Sequence, residues 1–297
     1  MKEIVKMIPN FIGGSADTSI STGTYLIGEN EISNQNYNGK YINFGVREKL
    51  VGAVLNGLAV SGFRPFGSTF LAFSDYMKPS IRMSALMNLP VTYIFSHDSI
   101  SIGSDGPTHQ PVEQLSNLRS IPNLDVYRPC DANELVGCWH EIINNKRPSA
   151  LILSKQEVDL LPVTSPKYVR YGAYIVRKEK EMDGILIATG TEVHTALILA
   201  RDLYINHKLD FRVMTMPSME LFLRQPIEIR KMLIPKNINT YVIEAGSSFG
   251  WQQFVEDEDH LFTVNDFGIS GSKDENYTHC HFDYKTIKEG ILKTIKK

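Results

Sequence analysis

Between residues 41 and 154 the chain alternates short apolar, β-rich runs with longer segments of helical periodicity. The runs Tyr41–Phe44, Val91–Phe95 and Ala150–Leu153 predict buried strands, and Val46–Val60 and Phe70–Met87 predict helices. Such alternation is what βαβ units produce, because a strand covered on both faces must be apolar throughout while its crossover helix buries only one stripe. The pattern then lapses over Leu161–Tyr171, where Pro162, Thr164, Ser165, Pro166 and Lys167 break any period, which predicts a linker centred near Pro166. It resumes with strands at Gly184–Ala188, Phe211–Met216 and Tyr241–Glu244, a helix at Glu192–Tyr204, and an amphipathic basic terminal helix at Tyr284–Lys297. The expectation is an α/β protein of two domains, residues 1–160 and 161–297, each with a mainly parallel sheet flanked by helices.

Composition adds exclusions. In 297 residues, 31 Lys and Arg against 33 Asp and Glu give a net charge of -2, without the cationic surplus that draws nucleic acid or an anionic membrane. A hydrophobic share of 42% with 22% charged residues is that of a folded globular chain. Cys130, Cys138 and Cys280 are odd in number and lack CxxC spacing, which predicts reduced thiols and a cytoplasmic protein. There is no apolar run of membrane-spanning length, so no membrane contact is expected.

The densest polar segment is Ser96–Gln114, SHDSISIGSDGPTHQPVEQ, which follows a predicted strand. Ligands of open α/β sheets bind at the carboxyl ends of strands, so His97, Asp105 and His109 are candidates. The spacing of the two histidines fits no familiar metal motif, and a loop whose histidines merely bond the backbone is the plain alternative. Glu48 lies in a first helical turn, where the dipole alone favours an acid. Phe70, Phe73 and Tyr76 recur at helical spacing, which favours a core-facing stripe over a pocket. Ser21, with Thr18, Ser19 and Thr22, could donate to a phosphate or simply build a turn. Arg128 could fork onto a phosphate or be solvated at the surface. Neither GxGxxG nor a P-loop is present, and Thr189–Glu192 is an ordinary strand-to-helix turn with weak anion-binding value.

Taken in order, GGSAD (13–17), GVRE (45–48), STFLAFSDY (68–76), HDSISIGSDGPTHQPVEQ (97–114), RPCD (128–131), ILIATGTEV (185–193) and FGISG (267–271) closely resemble the transketolase family, across its pyrimidine-binding and C-terminal domains. The resemblance implies dependence on thiamine diphosphate, with Mg2+ or Ca2+ held by ligands on another polypeptide, since the family's diphosphate- and metal-binding domain has no counterpart here. It implies the smaller subunit of a split transketolase-type transferase, moving a two-carbon ketol unit from a ketose or its phosphate to an aldose. That subunit would be active only with a separate N-terminal-type subunit, in an α2β2 arrangement.

The resemblance makes Glu48 the carboxyl that shares a proton with the cofactor's pyrimidine N1′, and Phe70, Phe73 and Tyr76 the apolar walls around that ring. Asp17 becomes a residue near the cofactor. His97 and His109 would bond substrate oxygens, Asp105 a substrate hydroxyl, and Ser21, His97 and Arg128 would line the sugar-phosphate end. A phosphate-binding arginine that the family carries upstream of GGSAD has no equivalent here. The alternatives are a 1-deoxyxylulose-5-phosphate synthase-like subunit, whose loop is similar, a pyruvate dehydrogenase β-type subunit, whose loops differ, and a non-catalytic scaffold.

Overall fold

In the computed structural model, which describes residues 1–295, the chain builds two sheets. The first contains β1 (Phe11–Ser15), β2 (Tyr41–Asn43), β3 (Arg64–Phe70), β4 (Thr92–Ser96), β5 (Asp125–Tyr127) and β6 (Ser149–Ile152). They are ordered β2-β1-β3-β4-β6-β5, with every pairing parallel. Its helices are α1 (Lys2–Met7), α2 (Glu48–Val60), α3 (Ser74–Leu86), α4 (Gln114–Arg119) and α5 (Ala132–Asn144). Val51 and Leu55 of α2, Met77 and Ile81 of α3, and Tyr93 and Phe95 of β4 share one core.

The second sheet contains β7 (Tyr174–Arg177), β8 (Gly184–Ala188), β9 (Phe211–Thr215), β10 (Thr240–Glu244) and β11 (Leu261–Thr263). The order is β11-β10-β8-β9-β7, parallel except for the antiparallel edge strand β7. It is flanked by α6 (Glu192–Asp202), α7 (Met219–Leu223), α8 (Ile227–Leu233), α9 (Lys273–His279) and α10 (Tyr284–Thr294). The last two residues of the expected terminal helix lie outside the described residues. Among the described residues, no helix is long and apolar enough to cross a membrane.

Five strands, β1, β3, β5, β7 and β11, lie outside the expected runs, and β1 and β3 show why. In β1, Gly13 and Gly14 let neighbouring backbones approach so closely that a Cβ would stand 1.9 Å from the Phe66 carbonyl oxygen and 1.7 Å from that of Ile42. In β3, Pro65 and Gly67 argue against a central strand, yet Gly67 is required because a Cβ there would meet Leu55 of α2 at 2.5 Å. The helix expected over Phe70–Met87 is in fact the end of β3, a 3-10 turn at Leu71–Phe73, and α3. The helix expected from Val46 starts at Glu48, because Gly45 at φ 66° and Arg47 at φ -151° hold the approach out of helical space. The expected linker is ordered: Thr164 Oγ1 donates to Asp131 Oδ2 at 2.5 Å, and a 3-10 turn over Pro166–Tyr171 packs on α5, where a Cβ on Gly137 would meet Val169 at 2.5 Å.

The two sheets meet along their carboxyl ends. The Arg128 backbone, just past β5, donates to the Pro217 carbonyl at 2.8 Å and accepts from Gly190 N–H at 3.2 Å. Ile100, Val112 and Cys130 from the first half sit in the core formed by Leu186, Ala188 and Val193 of the second.

Candidate active site

The candidate site is built where β3 and β4 end. Phe70 is the last residue of β3, and His97 follows β4. His97 has φ 61°, a left-handed conformation that non-glycine residues rarely adopt, and such strain persists only where the surroundings impose it. Here the ring of His97 stacks on that of Phe70, with centroids 3.7 Å apart and planes 25° off parallel. Ser96 Oγ lies 2.8 Å from His97 Nδ1 and fixes the other edge. Phe73 continues the cluster at 6.0 Å from Phe70, Tyr76 follows at 6.2 Å from Phe73, and His109 stands edge-on to Phe73 at 5.2 Å. The aromatic residues that periodicity assigns to a core stripe are therefore at a rim, and Tyr76 is 63% exposed. The three do not share one helix: Phe70 ends β3, Phe73 ends the 3-10 turn and Tyr76 lies in α3.

Glu48 opens α2 and is 9% exposed. With Arg47, Lys49, Leu50, Ala53 and Tyr76 it lines a shallow groove of about 520 Å³ between α2 and α3. Gly52 brings those helices together, since a Cβ there would meet Ser80 at 2.6 Å. Tyr76 thus belongs both to the groove holding Glu48 and to the aromatic run leading to His97 and His109.

Charge around the histidines comes from Asp105 and Lys155, whose Nζ lies 3.4 Å from Asp105 Oδ2. Burial pushes His97 down to about 4, with Lys155 adding to the effect and Asp105 and Asp98 opposing it. The imidazole is accordingly neutral at neutral pH, able to donate from one nitrogen and accept at the other. Lys155 was missed in the sequence. Its signal was position alone, just past β6 in the row of strand ends that also carries His97.

Ser21 and Asp17 lie outside this cluster, in the exposed segment after β1. Thr18 and Thr22 are spent locally: Thr18 Oγ1 is 2.9 Å from Ser15 Oγ, and Thr22 Oγ1 is 2.8 Å from Thr24 Oγ1, itself 2.6 Å from Ser68 Oγ. Ser21 is exposed beside them.

Arg128 requires a correction. It is 1% exposed, and its guanidinium grips Asp98 Oδ2 at 2.7 and 3.1 Å, the Thr189 carbonyl at 3.2 Å and the Glu192 carboxylate. Burial would by itself lower this arginine, but Glu192, Asp98 and Glu244 outweigh it and raise it further. Beside it, Arg119 makes a bidentate pair with Glu244, both contacts 2.7 Å, and lies over the Trp251 ring. Burial works to raise Glu244, but Arg119 and Arg128 hold it below the usual carboxylate range. A guanidinium so enclosed has no face for a substrate phosphate; Arg128 ties the two sheets together. Among the described residues, no group of three or more His, Cys, Asp or Glu side chains converges as a metal site would.

Residues 1–159 match the family model for the transketolase pyrimidine-binding domain, and residues 172–283 match that for the transketolase-like C-terminal domain. The chain belongs to the transketolase family. Bacillus subtilis transketolase is 40% identical over 99% of this chain, and Aquifex aeolicus transketolase 41% identical over 96%. The match takes in 45% and 42% of those proteins, so the chain spans less than half the length of these transketolases. The crystal structure of Pichia stipitis transketolase with sedoheptulose-7-phosphate superposes with a TM-score of 0.95 at 33% identity, over 99% of this chain and 44% of that one. A split-gene transketolase, described as an inactive β4 tetramer, shares the fold with a TM-score of 0.78 at 22% identity, over 99% of this chain and 95% of that one.

Proposed function

We propose that this chain supplies the pyrimidine-side half of a thiamine diphosphate-dependent ketol-transfer site. The other half comes from a separate diphosphate- and metal-binding subunit, in an α2β2 assembly. The observation that carries the reading is the continuity of Glu48, Tyr76, Phe73, Phe70, His97 and His109, a carboxylate in an apolar groove running into two histidines. This donor set fits an aminopyrimidine, which needs one carboxyl facing a ring nitrogen and apolar or aromatic surfaces against its faces. When bound, thiamine diphosphate supplies the nucleophilic carbon and the electron sink for breaking the C2–C3 bond of a ketose.

This chain's residues do the rest. Glu48 shares a proton with the pyrimidine N1′, from a side chain that is itself buried at the start of α2. Phe70, Phe73 and Tyr76 wall the ring, and Asp17 borders the cofactor. His97, neutral and held by Ser96 and Phe70, and His109, held against Phe73, exchange hydrogen bonds with substrate oxygens. Asp105 receives a substrate hydroxyl, while Lys155, with Ser21, meets an anionic end of the sugar. Arg128 takes no part in binding.

The family membership, and the likeness to a split-gene transketolase chain that is matched over 95% of its length, support this reading. The test is to purify the chain with its bound companions from its native cell, quantify thiamine diphosphate, and assay two-carbon transfer between sugar phosphates. A stoichiometric companion, bound cofactor and turnover are expected. A lone chain without cofactor under metal-replete conditions would favour a scaffold instead.

A further inference from the structure

Gln110 adjoins His109, is 3% exposed, and faces two backbone carbonyls at once. Its Nε2 donates to the Gly103 carbonyl at 2.8 Å, within its own loop, and to the Ile269 carbonyl at 2.9 Å, in the Phe267–Gly271 turn of the C-terminal half. Two carbonyls require the amide nitrogen on that side, so the orientation of the side chain is fixed and Oε1 is turned toward Gly268. A Cβ on Gly268 would stand 2.1 Å from that oxygen and 2.4 Å from Asn276 Oδ1. The turn is held in its own right: Asn276 Oδ1 accepts from Ile269 N–H at 2.8 Å, and Ser272 and Glu275 form a capping box at the start of α9.

The loop is shaped to meet it. Gly103 and Gly106 have φ of 74° and 79°, and a Cβ on them would reach the Gly271 carbonyl oxygen at 2.9 Å and Ser270 Oγ at 2.5 Å. The Gly106 carbonyl accepts from both His109 N–H, at 3.0 Å, and Gln110 N–H, at 3.1 Å. The turn that carries His109 is thus closed on itself, and where the ends of the loop are held by Ile100 and Val112 in the C-terminal core and by Ser247 N–H on the Val112 carbonyl, its middle is bonded across the domain boundary by the Gln110 amide.

We infer that Gln110 is a positioning residue, through which the Phe267–Gly271 turn of the C-terminal half sets the placement of Asp105 and His109. This rests on the ketol-transfer reading for its effect on turnover, but not for its effect on the loop. Gln110→Met keeps the volume and removes the donor; the Gly103 and Ile269 carbonyls keep only their local bonds from Gly106 N–H and Gly271 N–H, both 3.0 Å, and the bridge between loop and turn is lost. Gly268→Ala, in the other half of the molecule, displaces the same amide without touching any proposed substrate or cofactor residue.

The experiment measures amide hydrogen exchange over residues 103–110 and steady-state kinetics in the chain bound to its companion. Each variant is expected to speed exchange of His109 and Gln110 amides about 10-fold, leave β4 amides unchanged, and lower kcat about 10-fold, with thiamine diphosphate affinity within about twofold of the parent, since Glu48, Phe70, Phe73 and Tyr76 are carried by α2 and by the stretch from β3 to α3 and meet residues 103–110 only where Phe70 and Phe73 face the His109 ring. The double variant is expected to lose less than the two single losses combined, because both changes displace the Gln110 amide, although Gly268→Ala also presses on Asn276. Unchanged exchange in Gln110→Met overturns the inference whatever the activity, as does additive loss in the double variant. Faster exchange with unaltered kcat and KM in an active complex overturns it too. Absence of ketol transfer in the parent complex counts against the proposed function alone, and the exchange rates still decide the role of Gln110.

Discussion

The two halves of the molecule are built on similar parallel sheets, yet they use the ends of their strands in opposite ways. At the ends of β8 and β10 in the C-terminal half, Glu192 and Glu244 are buried and paired with arginines of the first half. Thr215, ending β9, donates to Glu134 Oε1 of α5 at 2.8 Å. Past β3 and β4 in the first half, by contrast, Phe70 and His97 are stacked, strained in one case, and followed by an exposed Asp105 and a half-exposed His109. One set of strand ends spends its polar groups on holding the domains together, whereas the other keeps them for something outside the chain. Topology alone does not mark a site; what marks it is polar chemistry at strand ends that the fold itself does not consume.

Glu48→Gln cuts deepest into the functional side of that contrast. It is expected to lower kcat of the assembled enzyme by about 10²–10⁴, the usual worth of a positioned proton-transfer group, with assembly unchanged by size-exclusion chromatography. Arg128→Met probes the structural side. Removing one partner from a buried ion cluster leaves Asp98 and Glu192 uncompensated and is expected to cost about 3–5 kcal/mol in chemical denaturation. If Arg128 instead bound substrate, stability would stay near that of the parent and KM would rise.

Lys155→Met makes the sharpest pairing with that variant. Its ion pair with Asp105 is solvent-exposed, so stability is expected to move by less than about 1 kcal/mol, while KM for a phosphorylated sugar rises about 10-fold and that for a neutral sugar does not. The contrast also has a pH dependence. His97 titrates near 4 in the folded chain against an ordinary value of 6.5, so the unfolded chain binds a proton first as pH falls. Stability from this group is complete above 6.5 and is lost as pH drops toward 4. His97→Gln is expected to flatten that part of the stability profile, as read by denaturation between pH 4 and 7.

The same contrast explains how far the sequence could be read. Strands such as Gly184–Ala188 are covered on both faces and therefore apolar throughout, so their runs announce them. β1 and β3 are equally buried, but glycines and a proline accommodate close neighbours there, and an apolar pattern cannot register a close approach. His97, Asp105 and His109 stood out because their loop carries more polar chemistry than a connection needs. The roles of Glu48 and of the aromatic run came from the family resemblance, since a first-turn acid and a helical stripe have commonplace structural uses. Arg128 does not meet the phosphate-binding expectation, because an arginine after a strand looks the same whether its anionic partner is a ligand or, as here, carboxylates 30 positions earlier and 64 and 116 positions later in the chain. Gln110 and the Phe267–Gly271 turn, far apart in sequence, show their connection only once folded.

The central claim is that this chain holds half of a ketol-transfer site, with Glu48 as its proton-sharing group. The most direct measurement is two-carbon transfer by the complex of this chain with its copurifying companion, saturated with thiamine diphosphate and Mg2+, beside the same complex carrying Glu48→Gln and beside the chain alone. Turnover in the first, with losses of at least about 100-fold in the second and none detectable in the third, is the predicted result. Equal turnover with and without the Glu48 carboxyl, or turnover by the isolated chain, would contradict it.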